Sequence, residues 1–149
     1  MDNILSYFEI ARTEGARVET GGGAVAELAD GLFISPTVLL DCEPDMRVSR
    51  EEIFGPVASV LRADSYEHAL SIANQGDYGL AAGIATTSLA TARHFQRHVR
   101  AGMVMVNVPT AGVDYHVPFG GTRQSSFGPK EQGFAAAEFF TSTRTVYTR

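Results

Sequence analysis

Three stretches of the chain carry side chains whose types and spacing can do chemistry. The first is Glu51-Glu52-Ile53-Phe54-Gly55-Pro56. On an extended segment Glu52 and Phe54, two residues apart, point to the same side. A carboxylate there can accept both hydroxyls of a ribose, and a ring can lie against a flat heterocycle. The plainer reading is a loop Glu and a core Phe. The second is the Gly-rich run from Pro118-Phe119-Gly120-Gly121 to Gly133, which leads into an expected helix start where backbone N–H groups can receive an anion. Its length and Phe119 favour a binding loop over a plain connection whose glycines serve positive φ. The third is His94 and His98, at i and i+4. That spacing can hold zinc, but the metalloprotease pattern needs Glu directly after the first His, and Phe95 stands there. Both histidines point away from the stripe Leu89, Ala92, Phe95 and Val99, and they sit among Arg93, Arg97 and Arg100, which repel a cation. They read as a solvated face, and no metal is expected.

Cys42 is the one cysteine of the chain. Its neighbours Asp41, Glu43 and Asp45 raise a thiol pKa, the reverse of what activates a nucleophile. It reads as an incidental loop thiol, and no catalytic residue is assigned. No G-x-S-x-G elbow and no P-loop occurs. Gly21-Gly22-Gly23 reads as a turn, because no G-x-G-x-x-G follows a strand and opens a helix.

The elements that must position these residues follow from periodicity. Asp2 to Gly15 reads as a helix with Ile4, Phe8 and Ala11 on one stripe, capped by Asp2 or Asn3 and ended by Gly15. Leu32 to Leu40 is β-rich but interrupted by Pro36, so it reads as an edge strand or two short pieces. Asp41 to Arg50 reads as a polar loop. From Val57 the pattern becomes β-α-β-α-β. Strands at 57–61, 80–85 and 103–106 alternate with helices that start near Ser65 and Ser88 and close near Gly76 and Gly102. Such units give parallel strands, and continuous apolar strands imply a sheet covered on both faces. Val108 to Pro129 reads as a long loop, Lys130 to Phe139 as a short helix, and the β-branched, alternating tail after it as a strand.

Composition bounds the rest. The chain has 149 residues, 44% of them hydrophobic, with 12 Lys+Arg against 17 Asp+Glu and a net charge of −5. That suits a globular domain. A single Cys excludes an internal disulfide framework. Mild acidity argues against a nucleic-acid surface. No apolar run approaches the roughly 20 residues of a membrane span. Met1-Asp2-Asn3-Ile4 opens no signal peptide, so a cytoplasmic location is expected.

Four segments, in order along the chain, together resemble the C-terminal third of the aldehyde dehydrogenase superfamily. Glu51 to Val57 resembles its E-x-F-G-P-V box and Tyr78 to Ile84 its Y-G-L-x-x-G strand. Gly102 to Asn107 resembles its G-x-V-x-V-N strand. Pro118 to Gly133 resembles its P-F-G-G-x-K-x-S-G-x-G-R-E-x-G loop. Arg123 stands where the family usually has Lys, Ser126 replaces a common Gly, and Pro129 looks inserted. The run Pro109 to Pro118 most resembles the α-ketoglutaric semialdehyde dehydrogenase branch.

The resemblance implies an α/β fold: a parallel β-α-β-α-β unit of the catalytic domain over residues 1–139, with a cofactor-contacting loop at 41–57 and a substrate loop at 108–129. It implies that residues 140–149 form a strand joining another subunit, hence a homo-oligomer. The implied activity is NAD- or NADP-dependent oxidation of an aldehyde to a carboxylate. Glu52 and Phe54 would contact the cofactor, and Phe119 and Val113 would line the aldehyde tunnel. The family's nucleophilic Cys and general-base Glu precede the matched segments in its motif order. The chain is therefore expected to be a fragment, inactive alone and of doubtful cofactor binding by itself. The alternatives are a non-catalytic binding or oligomerisation module acting with a full-length partner, and an unrelated α/β binding domain.

Overall fold

The computed structural model describes residues 1–28 and 31–149, without the side chain of Glu27. The chain is α/β and forms two compact units, residues 1–76 and 77–149.

The first unit opens with α1 (Asp2–Glu14), which buries Tyr7, Phe8 and Ala11 on one face. Met1, with no side-chain cap, precedes it. Asp2 lies inside the first turn, where its charge favours the helix dipole. Gly15, at φ +100°, reverses the chain, and the Ala16 N–H bonds back to Ala11 O at 2.8 Å. Only glycine takes that left-handed turn without a Cβ penalty.

Next come β1 (Arg17–Thr20) and a 3-10 turn at Ala26–Leu28. They are followed by β2 (Thr37–Cys42), α2 (Arg47–Arg50), β3 (Val57–Leu61) and α3 (Tyr66–Ala73). The sheet order is β1-β2-β3, with β1/β2 antiparallel and β2/β3 parallel. β2 is thus the central strand and not an edge. Pro36 stands just before it, so its missing N–H costs the ladder nothing. Leu39 is fully buried there, opposite Val18 on one side and Ser59 on the other. Tyr7, Ala11, Ala16, Leu39, Cys42, Val48 and Ile53 form the core of this unit. The expected polar loop at 41–50 is instead a strand end and a short helix. Val48 is buried, and its carbonyl accepts the Ser59 hydroxyl at 2.8 Å. α3 starts where expected, with the Ser65 hydroxyl accepting the His68 N–H. That is the ordinary N-cap bond.

The second unit contains β4 (Tyr78–Gly79), β5 (Ala81–Ile84), α4 (Leu89–His98), β6 (Met103–Val106), β7 (Thr122–Arg123) and α5 (Ala135–Phe140). β5 and β6 pair in parallel from Ala81↔Met103 to Ile84↔Val106, with α4 between them in sequence. Ser88 caps α4, and Ala92 and Phe95 are its buried residues; Leu89, expected on the same stripe, is exposed. β4 and β7 form a two-residue antiparallel ladder inside what reads as loop.

Three further expectations change. The apolar strands are not covered on both faces: β3 alternates, with Ala58 and Val60 exposed. The helix expected from Lys130 begins at Ala135. Glu131 is taken up in a bridge to Phe119, and Gln132 and Gly133 are left-handed at φ +67° and +52°, a conformation no helix continues through. Residues 141–149 form no strand and pair with none of the described strands.

Candidate functional site

The box after α2 is built from fixed and presented residues in alternation. Ile53 is 9% exposed and belongs to the core, while Glu52 and Phe54 on either side of it are exposed, Phe54 at 87%. The out-in-out pattern puts Glu52 and Phe54 on the solvent side, as the sequence spacing implies. The segment is not a plain strand, however. Phe54 sits at φ +55°, a left-handed conformation that costs a non-glycine residue of order 1–3 kcal/mol. Such strain persists only where neighbours over-determine the backbone, and here they do. A Cβ on Gly55 would lie 2.8 Å from Ile4 Cγ2, so α1 presses directly on the box. The Pro56 carbonyl accepts the Thr37 N–H at 2.8 Å. Thr37, 2% exposed, donates its hydroxyl to Ser35 O and accepts the Gly22 N–H, so the turn at 21–22 is tied to the same place.

Glu51 is the residue that sequence reasoning passed over. Its carboxylate accepts the Tyr7 hydroxyl at 2.6 Å and both Arg47 Nε and Nη2 at 2.9 Å. The Arg47 guanidinium lies 5.6 Å from the Tyr7 ring centre. These donors hold the Glu51 carboxyl down at about 2, first through Arg47 and then through Tyr7. The same bond pushes the Tyr7 phenol up. The i,i+4 spacing of Arg47 and Glu51 is a signal in the sequence; Tyr7, 44 residues away, is not. Among the described residues the Glu52 carboxylate has no hydrogen bond or ion pair, so its oxygens are open to a donor.

Cys42 is a core thiol in β2 and not a loop thiol. It is 2% exposed, with Sγ 3.6 Å from Leu39 O. Its pKa is raised, as the acidic neighbours suggest, but burial is the leading cause and Asp41 and Glu43 contribute less. Either way it is no nucleophile.

In the second unit Phe119 is half-buried and locked by two backbone bonds, Phe119 N–H to Glu131 O at 2.7 Å and Glu131 N–H to Phe119 O at 3.0 Å. The Lys130 ammonium donates to Gly102 O. The Gly121 N–H bonds Ser126 Oγ at 2.6 Å and the Gly79 N–H bonds Ser125 Oγ at 2.9 Å. Ser126 therefore closes its own turn. N–H groups of the Gly-rich run are spent internally, and α5 begins beyond it, so the anion reading gains nothing. Val113 is half-buried in the stretch before Phe119.

A feature not expected from sequence is an open cleft of about 570 Å³ at the C-terminal ends of β5 and β6. Gly83, Ile84, Ala85, Asn107, Val108, Pro109 and Thr110 line it. Open α/β sheets bind ligands at that end. Asn107, at φ +58°, fixes its rim, accepting the Thr86 N–H at 2.8 Å and donating to Thr86 O at 2.9 Å. The Glu52/Phe54 pair and the Phe119/Val113 pair belong to different units.

His94 and His98 are exposed, with rings stacked 3.9 Å apart. Among the described residues no group of three or more His, Cys, Asp or Glu is placed to hold a metal, and no helix is long and apolar enough to cross a membrane.

Residues 1–146 match the aldehyde dehydrogenase family, and the chain belongs to it. It is 43% identical to the alpha-ketoglutarate semialdehyde dehydrogenase of Haloferax volcanii, over 99% of this chain and 31% of that protein. It is 39% identical to the alpha-ketoglutaric semialdehyde dehydrogenase of Bacillus subtilis, over 100% and 31%. Among solved structures, an indole-3-acetaldehyde dehydrogenase in complex with NAD+ superposes at a TM-score of 0.88, with 40% identity over 95% of this chain and 28% of that one. The chain thus spans about 31% of the length of these curated relatives.

Proposed function

We propose that this chain is the cofactor-contacting and aldehyde-lining part of an NAD(P)-dependent aldehyde dehydrogenase. The observation that carries the reading is the box at 51–56, where an open carboxylate and an exposed ring flank a buried Ile53. The residues fit a dinucleotide. Glu52 accepts the two ribose hydroxyls, and the Phe54 ring offers a flat apolar face to the adjoining heterocycle. The bound nicotinamide supplies the hydride acceptor for oxidising the aldehyde to a carboxylate. Phe119, held by its bridge to Glu131, and Val113 form apolar wall against the aldehyde. The substrate class follows the relatives above: a semialdehyde of the α-ketoglutaric type, whose single carboxylate, at the end away from the aldehyde, needs a cation outside these two apolar residues.

Two further parts of the reading rest on the family and on chain physics. The thiol attack that such oxidation needs does not come from Cys42, which is buried and held protonated, so the isolated chain is inactive. The tail at 141–149 pairs with a sheet edge of another subunit, which makes the working enzyme a homo-oligomer. A cytoplasmic location goes with a free thiol and a reducing compartment. The rival reading, a non-catalytic module acting with a full-length partner, shares every contact named here. The lengths of the two gene products separate them.

The test is Glu52→Gln in the dehydrogenase that contains these residues. The KM for the dinucleotide rises about tenfold or more, as expected for losing charge-assisted bonds to two hydroxyls. An unchanged dinucleotide KM refutes the assignment. For the isolated chain, turnover of a semialdehyde with NAD that Cys42→Ala abolishes overturns the claim of inactivity.

A further inference from the structure

We propose that Tyr7, Glu51 and Arg47 form a clamp whose task is to hold the 52–54 box in the geometry that meets the dinucleotide, with Glu51 as a positioning residue. The inference rests on the reading of Glu52 and Phe54 above and adds residues to it that touch no cofactor.

An Arg–Glu pair at i,i+4 on a helix surface is ordinarily a weak, mobile contact. Here it is converted into a tertiary lock. Both Glu51 oxygens are filled: Oε1 by Arg47 Nε, and Oε2 by Arg47 Nη2 and the Tyr7 hydroxyl. Tyr7 is 7% exposed and set in the buried face of α1, so the third donor comes from a rigid element. The Glu51 N–H is also spoken for, bonding Arg47 O at 2.8 Å. Counting along the chain, position 51 is pinned by side chain and backbone, 53 by burial, 55 by contact with Ile4, and 56 by its carbonyl. The two presented residues, 52 and 54, are the ones in between. A strained φ at Phe54 would relax if one flanking anchor let go. Of the four anchors, Glu51 is the one tied to α1 by a side-chain hydrogen bond, from the Tyr7 hydroxyl, and so the one whose tie across the unit a single atom can release. Pairing also occupies both Glu51 oxygens, which leaves its neighbour Glu52 as the carboxylate open to the hydroxyls.

Tyr7→Phe removes one oxygen and keeps the ring packing and the Arg47–Glu51 pair; Glu51→Gln weakens all three bonds. Backbone order at 52–55, read by nitrogen-15 relaxation on this chain, is expected to fall from the rigid range near 0.85 to below about 0.6 in Glu51→Gln, and part of the way in Tyr7→Phe. The amides of β2 serve as the internal control for an intact fold. In the longer dehydrogenase Tyr7→Phe raises the dinucleotide KM about fivefold, the worth of one hydrogen bond, and leaves kcat within twofold. A merely structural role lowers kcat through loss of folded enzyme and leaves KM alone. If Glu51→Gln does not fold, Tyr7→Phe carries the test. Unchanged order at 52–55 in the variants overturns the clamp whatever the KM does. A loosened box with an unchanged dinucleotide KM upholds the clamp and refutes the assignment of Glu52 and Phe54 to the dinucleotide.

Discussion

Replacing Gly102 by Ala should open the segment that holds Phe119. Gly102 ends the turn before β6, and a Cβ built there lies 2.0 Å from Gly120 O, 2.6 Å from Gly121 Cα and 2.8 Å from Gly120 C. All three are backbone atoms, so no rotamer change relieves the clash. To recover the 3.4 Å of an ordinary contact from 2.0 Å, the Gly120 carbonyl must retreat about 1.4 Å. That movement pulls on two bonds described above, the Lys130 ammonium to Gly102 O and the paired Phe119–Glu131 bridge. Gly102 itself needs no left-handed φ, so the whole effect is overpacking, worth about 1–3 kcal/mol. Hydrogen exchange at the Phe119 and Glu131 amides reads it. Protection should fall by about 5- to 150-fold, since every 1.4 kcal/mol is tenfold. Gly76→Ala is the control, because nothing lies within 4 Å of its Cβ position; it should stay within about 0.5 kcal/mol. Gly102→Ala with unchanged exchange at both amides refutes the reasoning.

Three other outcomes follow from the first unit. Leu39→Ala, at the fully buried centre of β2, should cost about 2–5 kcal/mol in urea unfolding followed by circular dichroism, and less than 1 kcal/mol would mean that the site collapses around the hole. Cys42 should react with a disulfide reagent at pH 8 more than about 100-fold more slowly in the folded chain than in denaturant, since the buried thiol must await a local opening; equal rates would place it at the surface. The Glu51 carboxyl sits at about 2 against an ordinary 4.5, so the fold prefers it charged. Its stabilisation is complete above pH 4.5 and is lost as pH falls through about 2. The urea midpoint should therefore drop between pH 5 and 2 more steeply in the parent chain than in Glu51→Gln, and identical acid limbs would contradict the assignment.

Much of this was legible in local pattern. Ser65 and Ser88 announce α3 and α4 because a capping hydroxyl is a one-turn interaction. The parallel β5/β6 pair follows from two apolar runs flanking an amphipathic helix. The exposure of Glu52 and Phe54 follows from alternation around Ile53. What escaped was set by partners distant in sequence. Pro36 argued for an edge strand, yet the ladder begins one residue later, and β2 lies between two strands. Acidic neighbours were read as the force on Cys42, whereas burial against α1 and α2 outweighs them. The Phe119–Glu131 bridge makes a strap of the segment read as a helix start, and no periodicity reports a single isolated bridge. The alternating tail has strand chemistry, yet residues 141–149 pair with none of the described strands.

The Tyr7–Glu51 bond also sets an order of events. Arg47 and Glu51 can meet as soon as one helical turn has formed, on the timescale of local structure. Tyr7 can reach them only when the chain between positions 7 and 51, a separation of 44, has closed on itself, and β1 and β2 both lie inside that span. The clamp beside the box at 52–54 therefore waits on a long-range closure, although the box itself is short and local in sequence. A partly unfolded chain can carry a complete helix α1 and still lack the Tyr7–Glu51 bond. On the proposal above, a dinucleotide that meets Glu52 and Phe54 would favour the finished box over the unfinished one.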